Sequence, residues 1–476
     1  MTHRLSKYNF DDSLENLPEE EDFDNDDDYE AIPICNKNGL CTCEKSSENT
    51  VDCRKASFGT QKHPLDTANL QIKQKNFTPF RILLQHNIIN KLEKSKIIPN
   101  YEEDIVEMDL SYNHIHTLGP NLFSDFKKLK VLKLSHNRIT KISPFTGLPL
   151  LHKLHLDNNI LGTLPRNVFE SLKNLNELVL DGNEAINLDN DIFGKGLQKL
   201  TILSLDYCEL SEIPHNVFKN LKNLKQLSLR GNPLVSMPSA INAIPHLLIL
   251  DMSETNLPEF DKMALSEDHE LETLFMQNMK YIYMINDCAF CKLKNIKKID
   301  FSNSTHLYSI NSNAFGMISD TSSVPQNLTF LNFENCNLTT FDSNLLLWEK
   351  VMSLKISGNP LQCDCNLSWL INNKNYHKTF GDKLPKCSTP EKFNGTHIHD
   401  IVLDECNLYK KSSIWIRFAI VFLVFSGLVV FWLSYSGNLN LIGKRNIEIP
   451  EMGYRNLTTT CEDENPFANS EEKEEV

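Results

Sequence analysis

Between residues 80 and 360 the chain repeats one frame: Leu, two residues, Leu, one residue, Leu, two residues, Asn, mostly every 22 to 25 residues. Residues 151 to 174, LHKLHLDNNILGTLPRNVFESLKN, carry it most cleanly, with Leu151, Leu154, Leu156, Asn159, Leu161, Leu164, Phe169 and Leu172 in place. The frame returns at Ile105, Leu129, Leu175, Leu200, Leu224, Leu247, Leu271, Ile296, Leu328 and Val351. A degenerate first copy runs through FRILLQHNI from Phe80, which makes about eleven or twelve repeats. Such a frame constrains the fold because one copy cannot bury its own apolar face, whereas stacked copies share a continuous core. A short strand points the first, fourth and sixth residues inward, and the Asn at nine bonds the backbone of the turn. The expected class is an α/β repeat solenoid, a curved horseshoe with a parallel sheet on its concave face. Short helices or 3₁₀ turns are expected on the convex side around Phe123, Phe169, Phe193, Phe218 and Phe315.

The departures are local. The Asn column reads Cys208, Thr255, Met279, Ser304 and Cys336 in five repeats. Cys and Thr can still bond the turn, but Met279 cannot. The ninth repeat stretches to 32 residues, with NSNAFGMISDTSSVPQN as an insertion, and a change of curvature is expected there.

Two cysteine quartets flank the repeats: Cys35, Cys41, Cys43 and Cys53 before them, and Cys363, Cys365, Cys387 and Cys406 after them. Clustered cysteines point to local staples in an oxidising compartment. With GNPLQCDCNLSWL and CSTPEKFNG around the second quartet, residues 35 to about 410 resemble the leucine-rich repeat superfamily. The quartets are similar to the end caps of its extracellular members. That resemblance implies pairs Cys363 with Cys387 and Cys365 with Cys406; spacing alone allows three connectivities for four cysteines. A zinc site in either quartet is the weaker reading.

Residues 414–435 read IWIRFAIVFLVFSGLVVFWLSY, with one charge, Arg417. The length and composition predict a transmembrane helix, with Trp415, Trp432 and Tyr435 near its ends. Sequons for N-glycosylation stand at Asn76, Asn303, Asn327, Asn337, Asn366 and Asn394. Basic residues flank the helix on both sides, so the cysteine caps decide its orientation: repeats extracellular, C-terminus cytoplasmic, at the cell membrane. No apolar run precedes Cys35, and the expectation is a signal peptide missing upstream of Met1. The expected organisation is therefore an acidic disordered head (1–34), an N-terminal cap (35–78), repeats (79–360), a C-terminal cap (361–409), the helix (414–435) and a short tail (436–476).

Charge and motifs narrow the function. The net charge is −14, and residues 11 to 30 hold twelve carboxylates and no Lys or Arg, so the remainder sums to about −2. No basic surface remains for nucleic acid. Motifs for nucleophilic, phosphate-binding or zinc-dependent catalysis are missing, so no enzyme and no cofactor are expected. His136, His152 and His155 are read as exposed sheet positions rather than metal ligands, and Cys288 with Cys291 as buried thiols or a local disulfide. Binding suits the architecture, because every repeat presents outward side chains on one concave face. Tyr112, Lys133, His136, Lys153 and His155, with Asp109 and Lys130, form an expected weakly basic patch. Tyr207, Arg230, Asp251, Glu254 and Phe275 form a mixed one. Tyr112, Tyr207, Phe275 and Phe330 are the favoured anchors. Tyr29, among carboxylates, is a sulfation candidate. Asn465, Pro466 and Phe467 resemble the tripeptide bound by endocytic adaptors.

The chain looks like a Toll-type ectodomain without a cytoplasmic signalling domain, or like the neuronal leucine-rich repeat adhesion proteins. The resemblance implies a receptor, co-receptor or adhesion protein for an extracellular protein or glycan, with a homodimer as a possible assembly. The alternative is a matrix structural protein similar to small leucine-rich repeat proteoglycans.

Overall fold

A computed structural model describes residues 32–435 apart from 36–39, 59–69, 73–75, 93–96, 262–264, 266–269 and 321–322. Tyr29 and the acidic head as far as residue 31, and the tail with Asn465, Pro466 and Phe467, lie outside the described residues, whereas Ile32–Ile34, expected in the disordered head, forms a strand paired with Leu70–Ile72. The repeats with their caps make one compact unit, residues 1–404, and the chain from 405 onward makes a second.

Each repeat contributes one strand of three residues. In Lys153–His155, Leu154 is buried between an exposed Lys153 and a half-buried His155, and Leu156 turns inward again. Period-two alternation over so short a run places two leucines in the core and leaves the intervening positions outside. Twelve such strands and the two of a hairpin in the N-terminal cap form one sheet of fourteen. It opens with an antiparallel hairpin, Thr42–Glu44 against Thr50–Asp52, and continues in chain order as parallel strands from Arg81–Leu83 to Ser353–Lys355. Leu154 is level with Leu132 and Leu178, so the frame stays in register from coil to coil. Register also survives the long ninth repeat, where Lys298 faces Phe330 and Asp300 faces Asn332. Its insertion is taken up outside the sheet, and its described part is turns and bends.

The opposite side of each coil is shorter of helix than the sequence pattern suggests. 3₁₀ segments occur at Lys195–Leu197, Ser239–Ala243 and Trp348–Lys350. Around Phe123, Phe169, Phe218 and Phe315 the chain makes turns instead. Some twenty residues separate one strand from the next, 156–176 between His155 and Glu177, but the ladder turn and the return to the sheet take up most of them, and the stretch left on the far side is too short to nucleate a helix. The phenylalanines do the packing: Phe193 stacks on Phe218 at 6.1 Å, and Phe290 lies 5.2 Å from Phe260 and 4.6 Å from Phe315.

The ladder asparagines join neighbouring coils. Asn113 donates to the Leu110 carbonyl of its own coil at 3.0 Å and to Leu84 of the preceding one at 2.9 Å, and accepts from the Ile89 amide at 3.1 Å. Asn137, Asn159 and Asn183 repeat the pattern. Cys208 and Cys336 are buried free thiols at ladder positions, reaching back to Leu180 and Phe301 carbonyls at 3.3 Å. Burial pushes both thiols up to about 12, so they stay protonated donors. The Thr255 hydroxyl donates to the Met252 carbonyl of its own coil at 2.8 Å and only weakly, at 3.7 Å, to the Met279 sulfur of the next, and among the described residues it reaches no carbonyl of the preceding coil.

Disulfides join Cys35 to Cys43, Cys41 to Cys53 and Cys363 to Cys387, and Cys365 and Cys406 are disulfide-bonded as well. At the C-terminal cap, Trp369 donates to the Phe341 carbonyl at 3.0 Å and its ring lies 4.8 Å from that of Trp348, closing the last coil.

A helix of 32 residues runs Asp404–Tyr435, all but its first residue in the second unit, and starts ten residues before the expected boundary at 414. Among the described residues no helix is long and apolar enough to cross a membrane.

Candidate binding surface on the concave sheet

One backbone feature shapes the concave face. The residue before each ladder position takes a left-handed conformation, from Lys55 to Gly358, with φ between 53° and 76°. The chain must turn sharply there to leave the strand, and non-glycine residues accept this at a cost of about 1 kcal/mol. The turn sets these side chains, one per coil, in a column beside the strand residues.

In the first coils the column carries His86, Tyr112 and His136. Their rings stack at 4.6 Å and 4.2 Å, and Tyr112 is 47% exposed. They line a cleft of about 800 Å³ together with Asp52, Arg54, Asp109 and Asp157. Three of the bases expected to make this patch weakly basic, Lys133, Lys153 and His155, stand beside acids. Lys133 lies 3.6 Å from Asp109 and 3.8 Å from Glu107. Lys153 and His155 both meet Glu177, at 2.7 Å and 2.8 Å. Strand residues in register across adjacent coils sit about 4.8 Å apart, close enough for each base to find its neighbour's acid. Burial raises the Glu177 carboxyl, but the bonds from Lys153 and His155 outweigh it and hold the group below its usual value.

The middle coils are knit by Tyr207, Arg230 and Glu254. The Tyr207 hydroxyl donates to Glu254 at 3.0 Å and accepts from Arg230 Nε at 3.0 Å, and Arg230 also pairs with Glu254. The Tyr207 ring lies across Gly231, where an added Cβ would come within 2.2 Å of it. Beneath them are half-buried Asp181 and Asp206. Burial raises both carboxyls, and for Asp206, which also feels Asp181 and Asp251, the value rises to about 6. Asp251 itself is turned onto its own loop, accepting from the Ser253 amide at 2.8 Å.

In the last coils lysines alternate with phenyl rings. Lys298 Nζ lies 4.6 Å from the Phe275 ring and 4.7 Å from Phe330, and Lys355 lies 5.5 Å from Phe330. Such contacts are worth about 0.5–1 kcal/mol each at exposed sites.

Among the described residues no group of His, Cys, Asp or Glu is arranged to hold a metal ion. His152 bonds the Leu150 carbonyl and does not join His136 and His155. Cys288 and Cys291 form a disulfide. The sequon asparagines Asn76, Asn303, Asn327, Asn337, Asn366 and Asn394 are all exposed. Sequence reasoning missed His86, Glu177 and Gly231. The position just before the ladder Asn was the signal for the first and last, because it collects His, Tyr, Asn and Gly in coil after coil.

Family models agree with this geometry. The leucine rich repeat model matches residues 104–159, 149–210, 173–234 and 198–257, and the BspA type leucine rich repeat region model matches 252–347. The chain is a leucine-rich repeat protein. Curated relatives of this leucine-rich repeat protein include osteomodulin of Rattus norvegicus, 29% identical over 163 residues, 31% of this chain and 37% of the relative. Oligodendrocyte-myelin glycoprotein of Homo sapiens is 32% identical over 119 residues, 24% of this chain and 26% of the relative. The chain thus spans well under half of the length of these relatives. Among solved structures, the Toll–Spatzle complex of Drosophila aligns with a TM-score of 0.49 at 19% identity, covering 70% of this chain and 54% of that one.

Proposed function

We propose that this leucine-rich repeat protein is a single-pass cell-surface receptor, co-receptor or adhesion protein that binds an extracellular protein through its concave sheet. The observation that carries the membrane half is the helix: Phe418, Phe422, Phe425, Leu428, Phe431 and Trp432 are all between 61% and 74% exposed. An apolar helix uncovered on every side needs a hydrocarbon solvent. The rest of 414–435 extends the same composition to a spanning length. Disulfide-bonded caps support an oxidising compartment for the repeats, and hence an extracellular ectodomain and a cytoplasmic tail. The binding half rests on Tyr112 and Tyr207, 47% and 45% exposed, held rigid by stacking in one case and by Arg230 and Glu254 in the other. Rigid, half-exposed tyrosines lose little entropy on binding and make good anchors.

The test is to express the full chain behind a secretion signal with a C-terminal tag. Removal of N-glycans should shift its mobility, and intact cells should be labelled by antibody to the repeats but not to the tag. An unshifted, unlabelled protein refutes the reading. The match to osteomodulin favours one second reading, a matrix protein similar to small leucine-rich repeat proteoglycans. Recovery of the repeats in the medium rather than on cells would select it.

A further inference from the structure

Asparagine is common in the left-handed column for a backbone reason, since Asn tolerates that conformation better than most residues. Asn158, Asn278, Asn303 and Asn335 all stand there, with φ of 53°, 55°, 64° and 55°. Only Asn303 among these four is followed by a hydroxyl residue two positions on, Thr305. The backbone explains the asparagine but does not call for the threonine, which is exposed. The Asn303 side chain is also set for modification. Its Oδ1 accepts from Asn335 Nδ2 at 2.8 Å, which leaves its own Nδ2, the atom that takes the sugar, unpartnered among the described residues. The other five sequons fall outside this column: Asn76, Asn327 and Asn337 flank strands or loops, and Asn366 and Asn394 belong to the C-terminal cap.

We infer that an N-linked glycan on Asn303 stands on the concave sheet and covers the Phe275–Lys298–Phe330 cluster, confining a protein ligand to the coils between His86 and Glu254. The inference rests on the extracellular placement proposed above. Lys298 begins the strand of the coil that carries Asn303, and the strands of Phe275 and Phe330 are its two neighbours in register. Neighbouring strands are about 4.8 Å apart, so a branched oligosaccharide rooted between them overhangs both rings. Phe275 and Phe330 then pack against sugar and lysine rather than a partner. The tyrosine anchors Tyr112 and Tyr207 lie outside that cover.

The full chain, expressed behind a secretion signal in an animal cell line, is compared with Thr305→Ala, which removes the sequon but keeps Asn303 and its bond to Asn335. Glycopeptide mass spectrometry reads the occupancy of each site, and hydroxyl-radical footprinting reads side-chain exposure. The expected result is an occupied Asn303 in the parent. Oxidation of Phe275 and Phe330 should rise about twofold or more in Thr305→Ala, with Tyr112 and Tyr207 unchanged. An Asn303 left bare while other sequons are occupied overturns the inference, as does an occupied Asn303 with equal oxidation in both proteins. If no sequon carries a glycan, the extracellular reading itself has failed and takes this inference with it.

Discussion

Asn232 is the ladder residue whose removal tests the cohesion of the solenoid most directly. It is fully buried, and its Nδ2 donates at 2.8 Å to both the Leu205 and Leu229 carbonyls. Its Oδ1 accepts from the Cys208 and Leu210 amides at 3.1 Å and 3.0 Å. Asn232→Ala abandons all of these backbone groups in the interior. Each buried unsatisfied group costs about 1–3 kcal/mol, reduced where water can follow, so the loss is about 3–5 kcal/mol. The internal control is Cys208→Ala at the preceding ladder position. That thiol reaches the Leu180 carbonyl at 3.3 Å and Asp206 at 3.5 Å, weak contacts whose loss should cost about 1 kcal/mol. Because coils can open separately, hydrogen exchange is the better assay than a single melting temperature. The Cys208 and Leu210 amides should exchange about two to three decades faster in Asn232→Ala, at about 1.4 kcal/mol per decade. Equal losses in the two variants, or undiminished protection of those amides, would refute the argument that the ladder couples the coils.

Three further outcomes follow from the same geometry. Asp206, raised to about 6 mainly by burial, binds its proton more tightly folded than unfolded, so its contribution is full below the ordinary carboxylate value and is lost as pH climbs through 6. Denaturation midpoints should therefore fall between pH 4 and pH 7 by about 1–2 kcal/mol, after allowance for partial exposure, and Asp206→Asn should flatten that slope. Gly231→Ala combines a φ of 71° with a Cβ that would strike the Tyr207 ring; it should cost about 1–2 kcal/mol and push the ring out, and since burial first and the bond to Glu254 second raise the Tyr207 phenol, its titration should fall back toward the ordinary value. Replacing Cys41 and Cys53 together by Ser should lower stability by about 2–4 kcal/mol, with protection lost first in the strands Thr50–Asp52 and Arg81–Leu83.

The sheet was legible because Leu151, Leu154 and Leu156 declare a strand and its inward face by spacing alone, and the register follows from repetition. The convex side was less so. Phe169 and Phe218 mark where the coil packs, but not whether the few residues around them form a helix or a turn, which depends on how much chain the coil leaves over. For the binding face, sequence identified Tyr112 and Tyr207 as outward. It missed that Lys133 and Lys153 are neutralised, because Glu107 and Glu177 come from other coils and meet them only through register. His86 sits in the degenerate first copy, where the frame itself was hardest to align.

The ladder also has a mechanical consequence. From Asn113 to Asn232 each coil is tied to the one before through a ladder side chain, a thiol at Cys208 and asparagine elsewhere, and the tie resumes with the Cys336 thiol on the Phe301 carbonyl at 3.3 Å and Asn359 on the Phe333 carbonyl at 2.6 Å. Between them, three successive coils hold Thr255, Met279 and Ser304, and of these only Ser304 reaches a preceding coil's carbonyl, Met276, at a long 3.3 Å. Under load the solenoid therefore behaves as two stiff springs in series with a compliant joint. A pull along the solenoid would part the coils at Met279 first, giving a rupture event of fixed contour length well before either arm unravels.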